Sequence, residues 1–140
     1  MIPRVIPIRA HVKIRGMKAE IDGDVLVDAG TTFTLVDEEL ARSVGVTTTS
    51  ERVKLYTFCC EVEGVIANVE YMKIEERGIG ATSILMTRFP SKLRSILSRY
   101  GVRNDLILGL SDLIKSGYVI DLKEGKLKYA GVLFIPLLPT

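Results

Sequence analysis

Residues 25–36 read VLVDAGTTFTLV, and the fold turns on them. An apolar strand ends on Asp28, turns through Ala29-Gly30, meets hydroxyl residues and resumes as a second apolar strand. Apolar flanks predict a buried position, and burying an unpaired carboxylate costs several kcal/mol. Asp28 must therefore have partners that offset its burial, or chemistry that uses it. One reading is a turn aspartate that caps its own loop; the other is a functional carboxylate.

Composition narrows the alternatives. The chain has 140 residues, 47% of them hydrophobic, enough for one compact domain with a real core over residues 1–140. A formal net charge of +2 does not suit a strongly basic nucleic-acid binder, so no nucleic-acid partner is expected. No apolar run reaches about 18 residues, so no membrane span is expected. The opening MIPRVIPIRAHV has prolines and no long apolar region, unlike a signal peptide. The two cysteines, Cys59 and Cys60, are adjacent. Neighbouring cysteines rarely reach disulfide geometry and two make no zinc site unaided, so free thiols in a cytoplasmic protein are expected, with no metal. The one histidine, His11, lies in an alternating segment and reads as a strand-surface residue rather than the base of a Ser-His or Cys-His hydrolase. Glutamine is absent and only Asn68 and Asn104 represent asparagine, a shortage in keeping with a thermophilic source.

Most of the chain reads as short strands with turn punctuation. IRAHVKI alternates, Arg15-Gly16 turns, and MKAEI resumes before Asp22-Gly23-Asp24 and the strand VLV. DEELARSVG is a short helix with Asp37 as cap, acidic residues at its positive end and Gly45 at its exit. Residues 53–70 predict a hairpin with its turn at Glu63-Gly64. FPSKLRSILSRYG, about 89–101, predicts a helix opened by Pro90, with Leu93, Ile96, Leu97 and Tyr100 on one face and Lys92, Arg94 and Arg99 off it. A solvated basic face is the simpler reading of those cations, and a docking surface for an acidic partner the sharper one. LILGL follows as a buried strand, SDLIKSG as a short helix capped by Ser111 and left through Gly117, YVIDL as a strand, and KEGK as a turn. The expected class is mainly β with two or three short helices.

VLVDAGTTFTLVDEELARSVGV resembles the active-site segment of the retropepsin-like aspartic proteases: an apolar strand, Asp-Thr/Ser-Gly, Thr and a short helix. LILGLSDLIKSGYVIDLKEGKL is similar to that family's closing element, in which two apolar residues and Gly precede a helix. The two segments stand in the family's order with room between them for a flap, and the likeness covers roughly residues 8–128. It implies a single-domain acid-protease β-barrel, working as a homodimer on a peptide or protein substrate without a cofactor. It implies Asp28 as the catalytic carboxylate, Ala29, Gly30 and Thr31 as the supporting loop, and a flap with Glu63 and Gly64 at its tip. One Asp-x-Gly per chain means that a dyad needs two chains. Three departures stand out. Ala29 lacks the hydroxyl that braces the two loops across the dimer, Leu110-Ser111 replaces the usual polar pair, and the helix at about 89–101 is inserted where a short turn is usual. Ala29 supports the alternative, a non-catalytic dimeric peptide-binding or scaffold protein on the same fold.

The ends MIPRVIPI and VLFIPLLP are unusually apolar and carry prolines, which suits sheet edges. An uncovered apolar edge aggregates, so at least one terminus, with residues 131–138 favoured, is expected to pack into a subunit interface.

Overall fold

The computed structural model describes residues 7–131. Of the terminal runs 1–8 and 131–138, at least one of which is expected at an interface, residues 1–6 and 132–138 lie outside the described residues. In chain order the elements are β1 (Arg9–Arg15), β2 (Glu20–Asp28), β3 (Leu35–Asp37), α1 (Glu38–Val44), β4 (Thr47–Tyr56), β5 (Glu61–Ile74), β6 (Arg77–Thr87), α2 (Ser91–Arg99), β7 (Leu106–Gly109), α3 (Leu110–Ser116), β8 (Tyr118–Asp121) and β9 (Lys126–Tyr129).

The strand order β1-β2-β7-β3-β6-β5 closes through β1–β5 pairing into a six-stranded barrel, and β4 extends it from β5. β7 enters between β2, to which it is parallel, and β3, to which it is antiparallel. That threading places Gly109 opposite Asp28. β2 runs unbroken through Asp22-Gly23-Asp24 instead of forming two strands, because β1 pairs with it continuously from Arg15↔Glu20 to Arg9↔Leu26. A separate β8–β9 ribbon follows.

Two apolar layers explain why VLV and LIL are uninterrupted runs rather than alternating ones. Val25, Val27, Val36, Leu106 and Leu108 face the cluster inside the barrel. Their neighbours Leu26, Leu35 and Ile107 face a second cluster that α2 covers with Leu93 and Leu97. Strands buried on both faces carry no polar alternation. The helix at 91–99 is thus part of the core: Leu93 and Leu97 of its apolar stripe are fully buried, and Ile96 and Tyr100 are half-buried.

Asp37 ties this layer together. Its Oδ2 accepts the Glu39 amide at 3.1 Å as the cap of α1, and its Oδ1 accepts the Phe89 amide at 2.9 Å. The Arg94 guanidinium sits 2.8 Å from the same Oδ1. One of the three off-stripe cations therefore serves the interior rather than solvent. Replacing Asp37 by Ala removes a cap and leaves the Phe89 amide and Arg94 unpartnered. Asp37→Ala is expected to lower the unfolding free energy by about 3 kcal/mol in urea titration. Arg94→Ala, which leaves the amide bonds intact, is expected to cost less than half as much.

Candidate active site

Asp28 is the last residue of β2, and its loop is built from its own carboxylate outward. Oδ1 accepts the Gly30 amide at 3.0 Å, and Oδ2 accepts the Thr31 hydroxyl at 2.8 Å. The Thr31 amide returns to the Asp28 carbonyl at 3.1 Å. The aspartate thus caps its own loop, as the simpler sequence reading expects, yet it remains half-buried rather than sealed. Ala29 and Gly30 are exposed beside it, while Thr31 is buried. A Cβ at position 30 would stand 3.3 Å from Asp28 Oδ1, so glycine keeps the approach to the carboxylate open.

The rest of the loop is held by the β7–α3 junction. The Leu110 amide donates to the Thr31 carbonyl at 2.8 Å, and the Ser111 amide to the Thr32 carbonyl at 3.0 Å. The Gly109 amide donates to the Thr34 hydroxyl at 3.1 Å. These are the donors that a helix leaves free at its N-terminus. Gly109, not Ser111, is the cap residue of α3, and it offers no side chain to cap with. The helix start is satisfied across the fold by the Asp28 loop. Gly109 must be glycine because a Cβ there would lie 2.3 Å from the Phe33 carbonyl.

Behind this junction lies a carboxylate the sequence did not single out. Asp112 is fully buried; its Oδ2 accepts the Thr34 hydroxyl at 2.6 Å and its Oδ1 the Thr82 hydroxyl at 2.5 Å. The Lys115 ammonium stands 3.8 Å from Oδ1 and donates to the Thr82 hydroxyl at 3.1 Å. Nothing local marks Asp112, because its partners come from β6 and from the loop before β3.

The hairpin over the site is present with a different turn. β4 and β5 reverse at Thr57–Cys60, where the Thr57 amide donates to the Cys60 carbonyl at 2.7 Å. Glu63 and Gly64 lie inside β5, paired with Lys54 and Val53, and form no tip. Gly64 serves close packing, since a Cβ there would meet the Met86 carbonyl oxygen at 2.1 Å. The observed register puts Val53, Leu55, Val62 and Ile66 together on the second apolar cluster, and a turn at Glu63-Gly64 would break that grouping. At the tip, the Thr57 hydroxyl bonds the Cys59 and Cys60 amides at 3.3 and 3.0 Å. Cys59 and Cys60 are joined as a vicinal disulfide, against the expectation of free thiols.

Phe58, at this tip, and Asp28 line one cavity of about 400 Å³, together with Ile8, Leu26 and Tyr100. The carboxylate therefore stands on the floor of a largely apolar hollow with an aromatic side chain at the hairpin tip beside it. Such a hollow can hold an extended chain and present one carboxylate to it.

His11 has no part in this hollow. Its Nε2 lies 2.9 Å from Asp22 Oδ2 and its Nδ1 3.0 Å from Asp24 Oδ1 on the exposed face of β1 and β2. Bonds to Asp22 and then Asp24 raise its pKa above 6.5, and the bond to His11 lowers that of Asp22. No helix among the described residues is long and apolar enough to cross a membrane.

No protein-family model matches the chain, and no curated protein sequence does. Among solved structures, the crystal structure of the retroviral protease-like domain of Ddi1 from Leishmania major is similar, with 16% identity, 92% of each chain covered and a TM-score of 0.56. That likeness is one of fold, and the chain has a retropepsin-like fold.

Two outcomes test the site's framework. Thr34→Val leaves the Gly109 amide without an acceptor and Asp112 with one hydroxyl fewer. It is expected to destabilise the fold by about 2 kcal/mol in urea, while Thr32→Val, at an exposed position, stays within about 0.5 kcal/mol. The His11 cluster is charged on both sides, so its stabilisation is complete below pH 6.5 and fades as pH rises through the raised His11 value. On the acid side it fades as pH falls through the lowered Asp22 value. NMR titration is expected to place the His11 midpoint above 6.5, with Asp22→Asn moving it down.

Proposed function

We propose that this chain is an aspartic endopeptidase that works as a homodimer, with Asp28 of two subunits forming the dyad. The observation that carries the reading is the Asp28 carboxylate on the floor of the cavity beside Phe58, at the end of a strand in a retropepsin-like barrel. A peptide bond is hydrolysed by water held between two carboxylates, one ionised as base and one protonated as acid. Two like charges about 3 Å apart cannot both ionise, as in the aspartic proteases from which that rule is drawn. The pair shares a proton, and by symmetry neither Asp28 owns either role. The base takes a proton from the water as its oxygen attacks the carbonyl carbon, while the acid gives its proton to the carbonyl oxygen. The former base, now protonated, then protonates the leaving amine as the former acid takes back the proton of the diol hydroxyl. No cofactor enters these steps.

Within one chain, Gly30 and Thr31 orient the carboxylate before any partner arrives. The β4–β5 hairpin is the flap that closes over the peptide and excludes water, with Phe58 at its tip. Backbone pairing holds the extended substrate and the apolar hollow selects its side chains.

Dimerisation is supported by exposed apolar side chains on the elements that follow the site. Leu110 and Ile114 lie on α3, Val119 on β8, Leu122 just beyond it and Tyr129 on β9, all exposed. Exposed apolar groups gathered on one stretch mark an interaction surface. A C2 pairing through α3 would bring the loop that Leu110 braces toward its copy.

Ala29 favours a second reading, a non-catalytic dimeric peptide-binding or scaffold protein. It has no hydroxyl for a brace between loops, and Thr31, the nearest hydroxyl, is already committed to Asp28 of its own chain.

Asp28→Asn separates the two readings. Hydrolysis of a mixed peptide pool at acidic to neutral pH is expected to fall by about a thousandfold or more, with the circular dichroism spectrum unchanged. Absence of hydrolysis by the parent chain, in a preparation that sediments as a dimer, favours the scaffold.

A further inference from the structure

The cavity that holds Asp28 does not end at Phe58. A second hollow of about 410 Å³ shares Phe58 and Tyr100 with it, so Asp28 and α2 border neighbouring hollows on either side of these two aromatic residues, together called the groove. Along the second part, α2 contributes Lys92, Ile96 and Arg99. Their spacing places Lys92 and Arg99 on one helical side, with half-buried Ile96 at the border between that side and the Leu93–Leu97 face buried in the core. Lys92 and Arg99 are exposed, and neither is among the ion pairs of the described residues. Arg94, on the opposite side of the helix from this face, is the α2 cation that pairs with Asp37. Among the described residues lining the two hollows, Asp28 is the single carboxylate.

The groove is therefore polarised: a carboxylate on an apolar floor at one end and exposed cations flanking apolar Ile96 at the other. We propose that the α2 end of this groove is a specificity subsite for acidic side chains, so that the peptides bound across Asp28 carry Glu or Asp on the side that reaches α2. The proposal deepens the protease reading by naming its substrate class and rests on that reading. An extended peptide advances about 3.4 Å per residue, so a few residues beyond the one at Asp28 reach the helix. Ile96 and Phe58 take the methylene stem of Glu while Lys92 and Arg99 take its carboxylate by charge-assisted hydrogen bonds. An acidic side chain placed nearer Asp28 meets repulsion, so the two ends of the groove also fix the direction of the bound chain. Since α2 is inserted relative to the retropepsin pattern, this subsite belongs to the chain's own departure from it.

The test uses the full chain carrying Asp28→Asn, so that binding is read without cleavage. Two fluorescein-labelled decapeptides of apolar residues are compared by anisotropy, one with two Glu residues near one end and one with Gln in their place. The Glu peptide is expected to bind about fivefold more tightly, an advantage that disappears at about 1 M NaCl and in the Lys92→Gln/Arg99→Gln variant. Both replaced side chains are exposed, and an unchanged melting curve verifies that the variant folds. Equal affinities, no binding of either peptide, or an advantage that survives in the variant overturns the proposal. Cleavage of both peptides at equal rates by the parent chain overturns the acidic subsite and leaves the protease reading standing. Preferential binding by a parent chain that cleaves neither upholds the acidic groove and removes only the hydrolysis.

Discussion

The buried Asp112 carboxylate, bonded to the Thr34 and Thr82 hydroxyls, is the interaction on which the site depends. It joins the strand β6, the helix α3 and the loop that begins at Asp28, three segments far apart in the chain. A buried carboxylate is tolerable only when its oxygens have partners, and here both do. Once Thr34 is fixed, its hydroxyl receives the Gly109 amide, and the Leu110 and Ser111 amides fall on the Thr31 and Thr32 carbonyls. The start of α3 and the Asp28 loop satisfy each other's backbone groups. Neither would keep this conformation without the other, which is why a helix with no capping side chain begins there.

The second organising feature is the use of both faces of the sheet. Strands at the centre of the barrel are apolar throughout because α2 closes the outer layer as the barrel closes the inner one. The helix then has a surface to spare. Its Leu93–Leu97 face is core, Arg94 anchors it through Asp37, and the Lys92–Ile96–Arg99 face borders the groove. One helix thus serves the core on one side and the proposed substrate channel on another.

The hairpin shows how local signals compete. Glu63-Gly64 resembles a turn in sequence and Thr57–Cys60 does not, so a turn assigned by residue type alone falls on the glycine. Register decides otherwise, because the side-chain period of a strand is two and the apolar set Val53, Leu55, Val62 and Ile66 must land on one face, toward the layer that α2 covers. Gly64 is present for a different reason, the close passage of the Met86 carbonyl. The adjacent cysteines, read as free thiols, meet at the resulting tip, where Thr57 holds both of their amides.

What the sequence determined by itself was whatever depends on neighbours along the chain. The apolar run into Asp28, the turn through Gly30, the Asp37 cap and left-handed Gly45 exit of α1, and the apolar stripe of α2 are set within a few residues. Together with the LILG strand they placed Asp28 in a retropepsin-like barrel. Tertiary structure alone decided the partners of buried polar groups, the hairpin register and the true cap of α3. Thr34, Thr82 and Asp112 become neighbours only when β6, α3 and the Asp28 loop converge, and no periodicity records that convergence. Hydrogen bonds between distant segments satisfy groups that local pattern leaves open, and in this protein those bonds hold the candidate carboxylate in place.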